Sequence, residues 1–101
     1  MYYLGLDVGS SSVKAAIVDA KSGKSILSVH EPKNEMGINS LNNDWAEQDP
    51  NMWWKYTCDA IKRVCKESNV DSKKIGSIGI SYQMHGLVVV DKNGSPLRDS
   101  I

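Results

Sequence analysis

From Leu4 to Asp19 the chain reads as two apolar runs separated by a cluster of small polar residues. The first run ends at Asp7 and Val8, then come Gly9, Ser10, Ser11 and Ser12, and the second run opens at Val13. Within that second run Val13, Ala15 and Ile17 alternate with Lys14, Ala16 and Val18, the period of a strand rather than a helix. Two strands joined by a tight turn are predicted, Tyr2–Val8 and Val13–Asp19. Lys21 to Lys24 make a further turn, and Ser25–His30 form a third strand that Pro32 stops. Three consecutive strands with short turns predict an antiparallel meander.

Residues 33–43 carry Gly, Asn and Ser with little periodicity and predict a surface loop. The period changes at Asp49, a good N-cap, with Pro50 suited to the first helical position because its missing N–H needs no partner there. A helix is predicted from Pro50 to about Ser68. Trp54, Cys58, Ile61 and Cys65, with Thr57 and Val64, recur at three and four and mark its core face. Lys62, Arg63 and Lys66 crowd its C-terminal half, where they suit the helix dipole, and Asn69 ends it. Trp53 and Trp54 could stack on a carbohydrate, but in a first helical turn they are expected to pack against the sheet. After a polar linker, Asp71–Lys74, the strand Ile75–Ile80 closes a crossover and is predicted parallel to the first strand. Leu87–Val90 predict another buried strand, turned at Asp91–Gly94 by an Asn-Gly signal.

Composition narrows the class only a little. The chain has 101 residues, room for one domain with a modest core, and its twelve basic and twelve acidic residues cancel. Nothing in that balance points to nucleic acid or a membrane as partner. There is no long apolar segment and no signal-like start, so a cytoplasmic location is expected. Cys58 and Cys65 stand two helical turns apart, about 10 Å along the axis, too far to bridge. They are expected to be thiols on a core face, with no neighbouring Cys or His to suggest a metal site.

Two stretches carry candidate chemistry. Asp7 offers a hard oxygen ligand suited to Mg2+, and Gly9, Ser10, Ser11 and Ser12 let backbone N–H groups and hydroxyls approach an anion. Lys14 adds a mobile positive charge. Together they make a cradle for a metal-bound polyphosphate, although neither a Walker A loop nor a dinucleotide fingerprint is present, and an ordinary hairpin with a serine turn has the same spacing. The second stretch, Ser81 to Gly86, breaks two apolar runs with polar residues. Ligands of α/β sheets bind beyond the carboxyl ends of the parallel strands, where this segment falls. Gln83 and His85 suit sugar hydroxyls and Met84 an apolar carbon backbone; a polar hairpin turn is the alternative. His30, at a strand end, reads as solvated.

The order Asp-x-Gly-Ser-Ser-Ser-x-Lys from Asp7 to Lys14 resembles the first phosphate motif of the actin-like ATPase superfamily, and more narrowly that of the FGGY sugar kinases. Ile80 to Gly86, Ile-Ser-Tyr-Gln-Met-His-Gly, is similar to the xylulose kinase branch of that family, as is Glu47-Gln48-Asp49-Pro50 followed by Trp53-Trp54. Glycerol kinases carry an Arg-Glu pair where Met84 and His85 stand. Three motifs in order cover nearly the whole chain.

The resemblance implies an α/β, ribonuclease-H-like (actin-like ATPase) domain, a mixed sheet containing the three-stranded meander. It implies ATP and Mg2+ as cofactors, with Asp7 on the metal and Gly9, Ser10, Ser11, Ser12 and Lys14 along the phosphates. Gln83, Met84 and His85 would face D-xylulose, whose 5-hydroxyl receives the γ-phosphoryl group; a homodimer is compatible with it. Lysine in place of the arginine of some relatives gives a point charge rather than a bidentate contact. FGGY kinases are about five times longer, with two actin-like domains, so residues 1–101 are expected to be an N-terminal portion of the first, lacking the catalytic aspartate. A kinase for another sugar or polyol, or a non-kinase actin-superfamily ATP-binding domain, are the alternatives; the polar Gln83–His85 segment argues against the last.

Overall fold

The computed structural model describes residues 1–41 and 45–101. Four strands form one mixed sheet: β1 (Tyr2–Val8), β2 (Val13–Asp19), β3 (Ser25–Glu31) and β4 (Ile75–Tyr82), in the order β3-β2-β1-β4. β1 pairs antiparallel with β2, β2 antiparallel with β3, and β1 parallel with β4. The meander and the parallel return are thus as the sequence predicts. β3 and β4 each run past their expected ends, to Glu31 and Tyr82, so Ser81 and Tyr82 belong to the strand rather than to the polar break.

One helix, α1 (Pro50–Ser68), makes the crossover and lies over β2 and β3. Its ends are set locally. The Asp49 carboxylate accepts from the Asn51 N–H at 2.9 Å, and Asn69 stops the helix in a left-handed conformation, φ 58°. Arg63 fastens α1 to β3, donating to the Glu31 carboxylate at 2.7 Å and to the His30 carbonyl at 3.1 Å. Between helix and sheet lies the core, made of Leu4, Leu6, Val13, Ala15, Ile17 and Val29 from the strands with Ala60 and Val64 from the helix. The strand members are alternate residues, so the period-two reading located the buried face of the sheet.

On the helix the core stripe is displaced from the one predicted. Thr57, Ala60 and Val64 are its buried residues, with Ile61 and Cys65 beside them. Ala60 has so little side chain that helix and sheet meet there, which rotates Trp54 away from the sheet and leaves it 70% exposed. The expectation that Trp54 is core is therefore wrong. Cys58 and Cys65 are both free and partly buried.

A second correction concerns Leu87–Val90. These residues are exposed, and their pairing is limited to a bridge between Val90 and Pro96, the Leu97 N–H on Val89 O at 2.9 Å and the Leu87 N–H on Ile101 O at 3.4 Å. An apolar run becomes a buried strand only where a neighbour accepts a continuous ladder and another surface covers it, and these isolated bonds supply neither among the described residues. The turn after it is as expected, with Gly94 at φ +82° and its N–H on the Asp91 carbonyl at 3.0 Å. Of the predicted surface loop, residues 42–43 lie outside the described residues. The linker 71–74 forms a 3-10 turn capped by the Asp71 carboxylate. No described helix is long and apolar enough to cross a membrane.

Candidate phosphate and sugar site

Register brings the polar residues together. On the sheet face away from α1, Ser81 of β4 stands opposite Asp7 of β1, Asp7 opposite Lys14 of β2, and Lys14 opposite His30 of β3. Adjacent strands lie about 4.8 Å apart, so these four make one polar row across the loop end of the sheet. Asp7 is exposed, and its Oδ1 accepts a hydrogen bond from Ser81 Oγ at 3.1 Å. That contact orients the carboxylate and leaves its other oxygen open.

The turn that closes this end, Gly9 to Ser12, has all four of its carbonyls engaged. Gly9 O accepts from Gln83 Nε2 at 3.0 Å and Ser10 O from Gln48 Nε2 at 2.6 Å. Ser11 O accepts from the Met36 N–H at 2.8 Å and Ser12 O from the Gly9 N–H at 3.0 Å. A Cβ on Gly9 would stand 3.1 Å from Ser12 O, so any larger residue there would make the turn give by a few tenths of an ångström. The N–H groups of Ser10, Ser11 and Ser12, by contrast, donate to no group among the described residues. Consecutive unpaired N–H groups beside small side chains form a concave donor set for an anion.

Two hollows flank the turn. One, of about 220 Å3, is lined by Ser11, Ser12, Lys14, His30 and Lys33 among others. The other, of about 90 Å3, is lined by Ser10, Gln48, Trp53, Gln83 and Ser100. Around the second hollow the loop before α1 is tied down from several sides. Gln48 and Ser100 exchange both backbone hydrogen bonds, at 3.0 and 2.7 Å, and Asn39 and Glu47 do the same at 2.7 and 2.8 Å. The Glu47 side chain is only 2% exposed and is ion-paired to Arg98. Burying a carboxylate demands such a partner.

Met84 and His85 lie past the end of β4, in a turn where the Gly86 N–H reaches the Gln83 carbonyl at 3.4 Å. Both are open to solvent, Met84 to 80%. The structure thus joins Asp7, Gly9, Ser10, Ser11, Ser12, Lys14 and Gln83 in one place, with Met84 and His85 at its edge. Ser81, Gln48, Trp53 and Ser100 were not singled out as site residues from the sequence. Glu47 and Gln48 carry no periodicity; in the sequence they stand out only within the Glu47-Gln48-Asp49-Pro50 stretch that carries the family resemblance, without a role.

A polyphosphate with its metal fits this arrangement. The free N–H groups and Lys14 supply donors and charge, and Asp7 presents an open carboxylate oxygen. No group of three or more His, Cys, Asp or Glu side chains that could hold a metal ion occurs among the described residues. Mg2+ is commonly held by one or two carboxylates together with phosphate oxygens and water, which suits a single Asp7.

The sequence of residues 2–101 matches the model of the FGGY family of carbohydrate kinases, N-terminal domain. The chain belongs to that family. It is 41% identical over 98 residues to a xylulose kinase of Staphylococcus epidermidis, covering 97% of this chain and 19% of that protein. Its fold superposes on the crystal structure of a xylulose kinase from Brucella ovis with a TM-score of 0.89 and 34% identity, over 100% of this chain and 20% of the other. A gluconate kinase from Lactobacillus acidophilus gives 0.85 and 28%, over 99% and 19%. The chain therefore spans about a fifth of the length of the FGGY kinases it matches. Its sheet and crossover helix belong to the actin-like ATPase fold of those enzymes.

Proposed function

We propose that this chain forms the N-terminal portion of the first domain of a cytoplasmic kinase that transfers the γ-phosphoryl group of ATP to the 5-hydroxyl of D-xylulose. The observation that carries the reading is the Gly9–Ser12 turn, with its carbonyls engaged, its N–H groups free, and Asp7 and Lys14 beside it. Phosphoryl transfer needs little covalent chemistry from the protein; it needs the phosphates positioned and their charge neutralised. In that scheme Ser10, Ser11 and Ser12 donate to phosphate oxygens, Lys14 offsets their charge, and Asp7 holds the Mg2+ that bridges them. The aspartate that takes the sugar proton is contributed from outside these residues.

Between xylulose and gluconate, the chemistry of the β4 end favours the neutral sugar. Gluconate carries a carboxylate and calls for a fixed cation. The segment Gln83, Met84, His85 offers an amide, a thioether and an imidazole, and nearby Arg98 is committed to Glu47. The test is an ADP-release assay on the full-length kinase with D-xylulose, D-gluconate and glycerol. Release is expected with D-xylulose at a kcat/KM at least tenfold above the others. Preference for gluconate or glycerol would overturn the substrate, and sugar-independent ADP release would overturn the kinase.

A further inference from the structure

Gln48 and Gln83 come from separate segments of the chain and do the same thing to one turn. Gln83, at the end of β4, donates to Gly9 O at 3.0 Å; Gln48, ahead of α1, donates to Ser10 O at 2.6 Å. The Gln48 amide is fully specified by its surroundings. Its Nε2 also reaches Gly37 O at 3.3 Å, and its Oε1 accepts from Trp53 Nε1 at 3.1 Å. Carbonyls only accept and an indole N–H only donates, so the amide can sit only this way round. Gln48 is buried, and its own backbone is paired with Ser100.

The consequence follows from peptide geometry. In a trans peptide the C=O of one residue and the N–H of the next point in opposite directions. The one cis bond among the described residues is Glu31–Pro32, so the two peptides of the turn are trans. Drawing Gly9 O and Ser10 O toward the hollow that both glutamines line turns the Ser10 and Ser11 N–H groups outward, away from it. Without those two donors the peptides are free to rotate, and the anion-facing donor set is lost for part of the time.

We propose that Gln48 and Gln83 are a paired clamp on the phosphate turn, positioning residues that hold the Ser10 and Ser11 N–H groups toward the ATP phosphates without touching the nucleotide. The clamp rests on the reading of this turn as the phosphate site. It also assigns Gln83 a role beyond sugar contact, since its Nε2 is committed to the turn while its Oε1 stays available.

The test is calorimetric binding of a magnesium complex of a non-hydrolysable ATP analogue to the full-length kinase, without sugar, for the parent, Gln83→Met and Gln48→Leu. Gln83→Met keeps the shape and removes the donor at a strand end, so it tests the clamp even where Gln48→Leu does not fold. Each variant that folds is expected to weaken analogue binding at least tenfold, for Gln48→Leu with the KM for D-xylulose within threefold of the parent and for Gln83→Met with an unchanged thermal midpoint. Analogue binding within twofold of the parent in the folded variants, or a rise in sugar KM with nucleotide affinity intact, overturns the clamp. A parent that binds the analogue but phosphorylates none of the sugars overturns the substrate reading alone, because the clamp is read without turnover. A parent that binds no nucleotide overturns both.

Discussion

Toward α1 the strands present Leu4, Leu6, Val13, Ala15, Ile17 and Val29; on the other face, at the loop end, they present Ser81, Asp7, Lys14 and His30. The two regions share the same backbone but are specified differently. Each apolar residue is interchangeable in kind with its neighbours, since burial is non-directional and scales with area. Each polar residue acts through its register partner, so a one-residue slip would disperse the row and move its members to the helix side. On the proposed reading stability resides on one face and chemistry on the other, and substitutions should separate them.

The most drastic separation is to keep both faces and remove everything else. In the proposed scheme the 101 residues supply groups for the phosphates, while the aspartate that takes the sugar proton comes from outside them. Asp7 is committed to the metal in the proposed scheme, while Asp19 and Asp91 serve turns and Asp49 caps α1. β4 also leaves apolar surface open, with Ile80 62% exposed. The purified chain is expected to show no D-xylulose-dependent ADP release and only marginal stability. Turnover near the median enzyme rate of about 10 per second would mean that the chain carries its own base.

Ile17→Ala strikes the apolar face alone. Ile17 is fully buried, and its truncation is expected to cost about 2–5 kcal/mol, seen as a lower unfolding midpoint, with near-parent kcat in the molecules that remain folded. A large fall in kcat without loss of stability would mean that the two faces are not separable. His85→Ala tests the edge of the other face. It should lower kcat/KM for D-xylulose about tenfold, or roughly 1.4 kcal/mol, and spare ATP affinity; the reverse pattern would put this segment on the nucleotide side.

The smallest expected effect belongs to neither face. Bonds from the Lys21 N–H and the Ser22 hydroxyl hold the Asp19 carboxyl below its ordinary value of 3.8. A folded-state pKa below the unfolded one adds stability that is present above the unfolded value and is lost as pH falls through the folded one. Asp19→Asn should slightly flatten the fall of the urea midpoint below about pH 4. An unchanged pH profile would show that the turn does not hold the carboxylate.

How legible each region was follows from the same contrast. Val13, Ala15 and Ile17 announce a buried face by local alternation, and Asp49–Pro50 announce a helix start by local chemistry. The turn and its flanking Asp7 and Lys14 were legible too, as residue types. What joins them was not, because Gln48 and Gln83 reach the turn across long stretches of chain. Gln48 was legible as part of a family-like stretch before the helix, but its contact with the turn was not, until register and crossover placed it. Trp54 and Leu87–Val90 failed for a related reason: both are apolar by composition, but burial needs a partner surface, and that is decided by tertiary packing.

Central to this account is that Asp7 works on the phosphates and does little for the fold. The most direct measurement is kcat for D-xylulose-dependent ADP release by the full-length kinase with Asp7→Asn, across a magnesium titration, alongside its thermal midpoint. Loss of a metal-positioning carboxylate is worth several kcal/mol of transition-state stabilisation, so kcat should fall on the order of a thousandfold. Asp7 is exposed and bonded only to Ser81 among the described side chains, so the midpoint should stay near that of the parent. Near-parent turnover at saturating magnesium, or a fall explained by unfolding, would contradict the account.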